Sequence, residues 1–120
     1  MTILLGIATW YTLVGQPLYC DQGQGLVYDE DTTPWLALSE DLYKSGWADC
    51  GDRIQVEGDG WIIILLALDA GPLHRFYIED FPDQPILVDI PQHLVPFSTM
   101  SQRITIRNLD KVESGPRLTK

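Results

Sequence analysis

The longest apolar run of the chain, residues 61–68 (WIIILLAL), most strongly limits how this chain can fold. Its eight residues are far fewer than the roughly 20 that a helix needs to cross a bilayer. A turn sequence (EGDG, residues 57–60) precedes it, and residues 52–56 before that turn alternate apolar with polar side chains. The pattern therefore predicts a β-hairpin with a fully buried second strand, and no transmembrane segment.

Several other segments favour short strands separated by turns. Residues 3–13 are rich in β-branched and aromatic side chains and end at a Gly and a Pro. Residues 36–46 (LALSEDLYKSG) have a helix signature instead, with Ser39 as the cap of the first turn and Gly46 just past the last turn. We expect one short helix there, a helical turn in residues 91–97, and further strands in residues 76–78, 86–90 and 104–106.

The composition fits one globular domain with an acidic surface. The chain has 120 residues, 45% of them apolar, and its 17 acidic and 8 basic side chains give a net charge of −9. Nucleic acids and anionic lipid surfaces are bound through clustered Lys and Arg, so neither is an expected partner. We predict a single domain over residues 1–110 and a flexible tail over residues 111–120.

The two cysteines, Cys20 and Cys50, leave two alternatives open. They are enough for one disulfide, and two buried thiols fit the sequence equally well. There is no CxxC pair, and both histidines are far from either cysteine in the sequence, so no metal site is predicted. Dinucleotide, P-loop, metalloprotease and serine-hydrolase motifs are absent from the sequence, and no cofactor is expected.

Three segments follow one another in an informative order. The first is residues 6–11 (GIATWY), the second joins residues 36–46 to residues 50–54 (CGDRI), and the third joins residues 68–72 (LDAGP) to residues 88–90 (VDI). Together they resemble the double-psi β-barrel family that includes the expansin N-terminal domain, rare lipoprotein A and the family 45 endoglucanases. The first two resemble expansin patterns, and the first and third resemble elements of rare lipoprotein A.

The resemblance implies a mainly β fold, a six-stranded double-psi β-barrel with one or two short helices. It also implies an open groove across which family members lay a polysaccharide, either peptidoglycan or a β-glucan of the cell wall, and an extracellular or cell-surface location. Residues 1–11 show no signal peptide, so the sequence itself leaves the compartment open. No activity follows from the fold alone.

Asp89 and Asp69 are the candidate catalytic residues, and both match aspartates of the family. Cleavage of a glycosidic bond needs a carboxylic acid to protonate the leaving oxygen; hydrolysis usually needs a second carboxylate, whereas a lytic transglycosylase can manage with one. Apolar neighbours of Asp89 favour a raised pKa, and Asp69 ends the predicted buried strand beside a turn. The alternatives are structural: Asp89 caps a turn, and Asp69 binds nearby backbone N–H groups.

Four further side chains are candidate substrate-binding groups. Thr9 and Tyr11 share one face of the first strand, and in the family that face lines the groove. Trp10 and Trp47 offer flat surfaces on which sugar rings can stack. For Tyr11 and for both tryptophans the alternative is packing in the core.

Departures from the family pattern leave two functions open. Leu68 and Ala70 flank Asp69 where rare lipoprotein A has Asn and Arg, and Leu87 replaces an expansin His, so polar neighbours that would tune the acids are missing. The stretch between the two aspartates is also longer than in the family, as if hairpin 74–84 had been inserted. We expect a barrel that binds or cleaves wall polysaccharide, or else a non-catalytic barrel that forms a homo- or hetero-oligomer through hairpin 74–84.

Overall fold

The computed structural model describes residues 3–11, 18–20 and 35–111. These residues form a closed β-barrel of six strands in the order β1-β5-β2-β4-β3-β6, with one short helix and two 3-10 turns. The mainly β, six-stranded fold predicted from the sequence is therefore confirmed. In chain order the elements are β1 Leu4–Tyr11, β2 Trp35–Ser39, α1 Glu40–Lys44, β3 Arg53–Gly58, β4 Trp61–Gly71, a 3-10 turn Leu73–Arg75, β5 Ile86–Pro91, a 3-10 turn Gln92–Leu94 and β6 Gln102–Asn108.

Two parallel pairs of strands give the barrel its topology. β1 runs parallel to β5 and β2 runs parallel to β4, whereas the other neighbouring pairs are antiparallel. No helix within the described ranges is long and apolar enough to cross a membrane. Inward side chains fill the barrel with an apolar core, which includes Leu36, Leu38, Ile54, Val56, Val88, Ile90 and Ile106.

The predicted hairpin forms between β3 and β4, but its second strand is not fully buried. Gly60 turns the chain with a φ of 84°, a conformation that favours glycine. Ile62 and Ile64 are 57% and 51% exposed, whereas Leu65 and Ala67 are buried. Side chains alternate between the inside and the outside of a barrel, so an apolar run buries only every second residue unless something covers its outer face.

The short helix predicted to begin after Ser39 is confirmed, but the Ser39 side chain makes no capping hydrogen bond, and the strand that precedes the helix was not predicted. Trp35–Ser39 form β2, which lies between β4 and β5, and only Glu40–Lys44 are helical. All residues of β2 are buried on both faces of the strand. A strand of this kind shows no alternation of apolar and polar residues, so periodicity does not identify it. Gly46 has the expected positive φ, 83°, just past the helix.

The strand predicted for residues 76–78 is also wrong, and hairpin 74–84 is reduced to a single β-bridge between Ile78 and Phe81. Pro82 and Pro85 lack the N–H group that a strand ladder needs, and Tyr77 is exposed instead of packed on the barrel. Instead, β2, which was not predicted from the sequence, completes the six strands of the barrel. The predicted contact between copies of the chain through this segment remains a prediction.

Cys20 and Cys50 form a disulfide, with their Cα atoms 5.7 Å apart. The alternative of two free thiols is therefore wrong. The bond joins residues 18–20 to the turn that precedes β3. The predicted flexible tail, residues 111–120, lies outside the described residues except for its first member.

Candidate functional site

Four residues on neighbouring strands form one transverse row across the barrel wall. Thr9 of β1 is opposite Asp89 of β5, Asp89 is opposite Ala37 of β2, and Ala37 is opposite Asp69 of β4. Residues opposite one another in a sheet project from the same face. Two strand spacings separate the aspartates, which places their Cα atoms about 10 Å apart. We name Thr9, Asp89, Ala37 and Asp69 the carboxylate row.

Asp89 lies between Val88 and Ile90, which belong to the barrel core, so its own side chain points outward. Its carboxylate accepts a hydrogen bond from the hydroxyl of Thr9 at 2.9 Å. Burial raises the pKa of Asp89 to about 6; the hydrogen bond from Thr9 opposes part of that rise, and the negative charge of Asp69 adds to it. A carboxyl group with this pKa keeps a protonated fraction near neutral pH and can act as a general acid.

Asp69 is 8% exposed, and three hydrogen bonds hold its carboxylate. The Tyr11 hydroxyl donates to Oδ2 at 2.9 Å, and the backbone N–H groups of Tyr19 and Ala70 donate to Oδ1 at 3.0 and 2.9 Å. The structural alternative considered for Asp69, a carboxylate bound to nearby backbone N–H groups, is thus present in the fold. The bond from Tyr11 shows that Thr9 and Tyr11 both reach the carboxylates of the row.

Two tyrosines lie beside Asp69. The ring centroids of Tyr19 and Tyr43 are 5.1 Å apart, and the ring planes are tilted by 36°. The Tyr43 hydroxyl donates to the backbone carbonyl of Asp69 at 2.8 Å, and burial, together with the charge of Asp69, raises the pKa of Tyr43 far above its ordinary value. Tyr43 was not predicted as a site residue, because its position depends on the strand β2 that precedes α1.

Ser39, at the end of β2, contacts the turn that follows β4. Its Oγ accepts a hydrogen bond from the backbone N–H of His74 at 3.0 Å and lies 3.4 Å from Nδ1 of the same residue. Asp41 lies 3.8 Å from that Nδ1 as well. A serine triad needs the serine and the acid on different ring nitrogens, so this cluster has a structural role and fixes the turn near the carboxylate row.

The two tryptophans predicted to stack on sugars lie elsewhere. Trp47 is in the barrel core, and its carbonyl accepts a hydrogen bond from the side-chain amide of Asn108 at 3.0 Å. Trp10 is opposite Ile90, whose side chain is fully buried, so Trp10 points away from the carboxylate row. These placements do not support a stacking role for either residue, and for Trp47 they match the alternative of core packing.

The carboxylate row and one concave surface of the barrel are in different places. A concavity of about 610 Å³ lies between β1, β3, β6 and residues 83–85, away from the carboxylate row. Among the described residues, no group of three or more His, Cys, Asp or Glu side chains could hold a metal ion. A polymer that lies along an open face needs no closed pocket, so the candidate site is the carboxylate row, where the pKa of Asp89 is raised.

The strand order and the two parallel pairs define the expansin-like double-psi β-barrel fold, which the sequence motifs predicted. Among solved structures, the chain is similar to the crystal structure of the apo expansin of Clavibacter michiganensis, with a TM-score of 0.60 and 21% sequence identity. The similarity covers 93% of this chain and 53% of that chain, so this chain spans about half the length of that expansin. No protein-family model and no curated protein matches the chain. At this identity the likeness establishes the fold alone.

Proposed function

We propose that this protein binds a cell-wall polysaccharide, peptidoglycan or a β-glucan, along the carboxylate row, and that it acts outside the cell or at the cell surface. The observation that carries the proposal is the pair of aspartates on one face, one of them with a raised pKa, beside the exposed ring of Tyr19. The solved structure with the same fold is an expansin by its title. The disulfide supports an oxidising compartment, because such bonds are rare in the reducing cytosol.

The row has the parts that glycosidic cleavage needs. Asp89 donates its proton to the leaving oxygen, and the hydroxyl of Thr9 orients the carboxyl group. Asp69 is two strands away, a separation that leaves room for a water molecule between the acid and a second carboxylate, as inverting hydrolysis requires. A lytic transglycosylase would use Asp89 alone and would release an anhydro sugar.

Mass spectrometry of the soluble products released from insoluble peptidoglycan and from cellulose tests this proposal. Asp89→Asn is expected to release at least about 100-fold less product than the wild type, because a general acid contributes that much or more. Asp69→Asn is expected to lower hydrolysis but not transglycosylation, and the ends of the fragments separate the two reactions. Asp80→Asn alters an exposed carboxylate in the turn region after β4 and is the matched control. Equal product from all four proteins would contradict a catalytic role.

The opposite face of the barrel favours a second function, a non-catalytic barrel that serves as a structural or assembly subunit. Ile62 and Ile64 are exposed there, side by side on the outer face of β4, and contiguous exposed apolar side chains commonly mark contacts with other proteins. Under this second function the protein releases no fragments and forms a stable oligomer in light scattering. A monomer that releases glycan fragments would exclude it.

A further inference from the structure

We infer that the exposed ring of Tyr19 is a sugar-stacking subsite of the carboxylate row and that the Cys20–Cys50 disulfide holds it there, so that polysaccharide binding depends on the oxidised form of the protein. The inference rests on the proposed function, because it assigns one substrate contact within the same site. It gives residues 18–20, which the catalytic chemistry does not use, a role in binding.

The Tyr19 ring has the exposure and the support that a stacking surface needs. Tyr19 is 50% exposed, while the Tyr43 ring packs against it. Tyr43 is itself fixed by its hydrogen bond to the carbonyl of Asp69. A sugar ring presents an apolar C–H face that packs on an aromatic face, and an aromatic ring held by a neighbour loses little freedom on binding. Because the Tyr19 amide binds the Asp69 carboxylate, a sugar on this ring lies next to the row.

Residues 18–20 hold the Tyr19 ring in place by four contacts. Leu18 is buried in a small apolar cluster outside the barrel core. The amide of Tyr19 donates to a carboxylate of the row at 3.0 Å. Cys20 donates its amide proton to the carbonyl of Leu68 at 2.9 Å and is bonded to Cys50. All four contacts join this short segment to β2, β4 or the turn before β3.

The disulfide is the contact that a change of redox state removes. Cys50 precedes Gly51, whose amide donates to the carbonyl of Ala67 at 2.9 Å, so the bond ties residues 18–20 to a turn that is docked on β4. Reduction adds two electrons and two protons and leaves a thiol on each cysteine, with no covalent link. Residues 18–20 then depend on hydrogen bonds and on one buried leucine, and the Tyr19 ring loses its fixed position.

Binding to insoluble peptidoglycan and to cellulose, measured by depletion of the protein from solution, tests the subsite. Tyr19→Ala is expected to weaken binding about 3- to 10-fold, the worth of one aromatic contact, and Tyr19→Phe is expected to recover most of that loss because it keeps the ring. Tyr77→Ala removes a comparably exposed tyrosine that lies outside the strands, and it is expected to bind like the wild type. Equal binding by Tyr19→Ala and the wild type would overturn the inference.

The role of the disulfide is tested by the double variant Cys20→Ser, Cys50→Ser and by the wild type reduced with dithiothreitol. Dithiothreitol is oxidised to its cyclic disulfide in exchange. Both are expected to bind as weakly as Tyr19→Ala. NMR contacts between the Tyr19 and Tyr43 rings report the ring position directly and are expected to disappear, while contacts within the barrel core remain. If ring contacts and affinity survive reduction, the inference is wrong. If reduction unfolds the barrel, the binding measured for Tyr19→Ala, which keeps the disulfide, decides whether the Tyr19 ring contributes to polysaccharide binding.

Failure of the proposed function gives a different result from failure of this inference. If the wild type binds neither polysaccharide, the proposed function is wrong and the subsite falls with it. If the wild type binds, and the Tyr19 and cysteine variants bind equally well, the proposed function stands and only the inference falls.

Discussion

The outer surface of β4 has two regions, in which side chains of the same kind differ in their exposure to solvent. Ile62 and Ile64 point outward at the start of the strand and are exposed to solvent. Leu66 and Leu68 are further along the strand and are partly buried, because Leu18 belongs to the cluster that packs on them. We name the first region, with the outer surfaces of β3 and β6, the back face, and the second, with the carboxylate row, the front face. A strand pattern determines which side chains leave the barrel, but a covering segment decides whether they meet water.

The same covering explains why the chemistry lies on the front face. Outward polar side chains are buried or partly buried there and are paired, Thr9 with Asp89 and Tyr11 with Asp69. Removing a carboxylate from water costs free energy unless the group is hydrogen-bonded or becomes neutral. The raised pKa of Asp89 reflects this cost, because burial favours the neutral, protonated form.

The largest difference between the two faces is expected in stability. Trp35→Ala, at a fully buried position of the front face, is expected to lower the free energy of unfolding by about 3–5 kcal/mol, because it leaves a large cavity. Ile64→Ala, on the back face, is expected to lower it by less than about 1 kcal/mol, because half of the side chain is already in water. Urea unfolding measures both values. Equal losses of stability would mean that Ile64 is covered in solution and would contradict the expected difference between the two faces.

The larger pH-dependent effect on stability is expected on the front face. The pKa of Asp89 is about 6 in the folded protein and near 3.8 in the unfolded chain, so the folded protein binds the proton more tightly. The free energy of unfolding therefore falls as the pH rises from about 4 through about 6, by up to about 3 kcal/mol. Asp89→Asn stays neutral and is expected to be more stable than the wild type above pH 6 and similar to it below pH 4.

Thermal unfolding at a series of pH values between 3 and 8 measures this difference. Asp80→Asn, at an exposed position, is the control and is expected to follow the wild type at every pH. A constant difference in melting temperature between Asp89→Asn and the wild type at every pH would show that burial does not raise the pKa of Asp89 in solution.

The contrast between the faces also shows what could be predicted from the sequence. Residues 52–56 and 86–90 were predicted as strands, because short-range patterns and flanking turns mark them, and Asp69 and Asp89 were singled out by their context and by the family motifs. β2 was missed, because a strand buried on both faces has no alternation. The pairing of both aspartates with Ala37 depends on the order of the strands. Contacts between distant parts of the chain determine that order, so no local sequence pattern predicts it.

A smaller effect is expected from the hydroxyl of Tyr11. Tyr11→Phe leaves the ring in place but removes the hydrogen bond to Asp69, and it is expected to lower the free energy of unfolding by about 1–3 kcal/mol, since the acceptor is a buried carboxylate. Tyr77→Phe removes the hydroxyl of an exposed tyrosine and is the matched control, expected to have no effect. Urea unfolding of the two variants side by side checks the prediction; equal stability of both would show that the Tyr11 hydroxyl finds water as readily as Asp69.

The smallest effect is expected from the ion pair between Arg53, at the start of β3, and Asp110, just after β6. Two side-chain hydrogen bonds at 2.8 and 3.0 Å join the groups, and the hydrogen bonds from Arg53 lower the pKa of Asp110. A lowered carboxyl pKa stabilises the fold above the ordinary carboxyl range, and this contribution is lost as the pH falls through that range. Both groups are in water, so salt screens their attraction. Asp110→Asn is therefore expected to lower the melting temperature slightly at pH 7 in low salt, and the difference is expected to shrink at about 1 M salt. A difference that persists at high salt would show that Asp110 acts through its hydrogen bond to the Arg53 amide, as Asp69 of the front face acts through backbone N–H groups. The two faces would then differ in exposure but not in how they hold an acid.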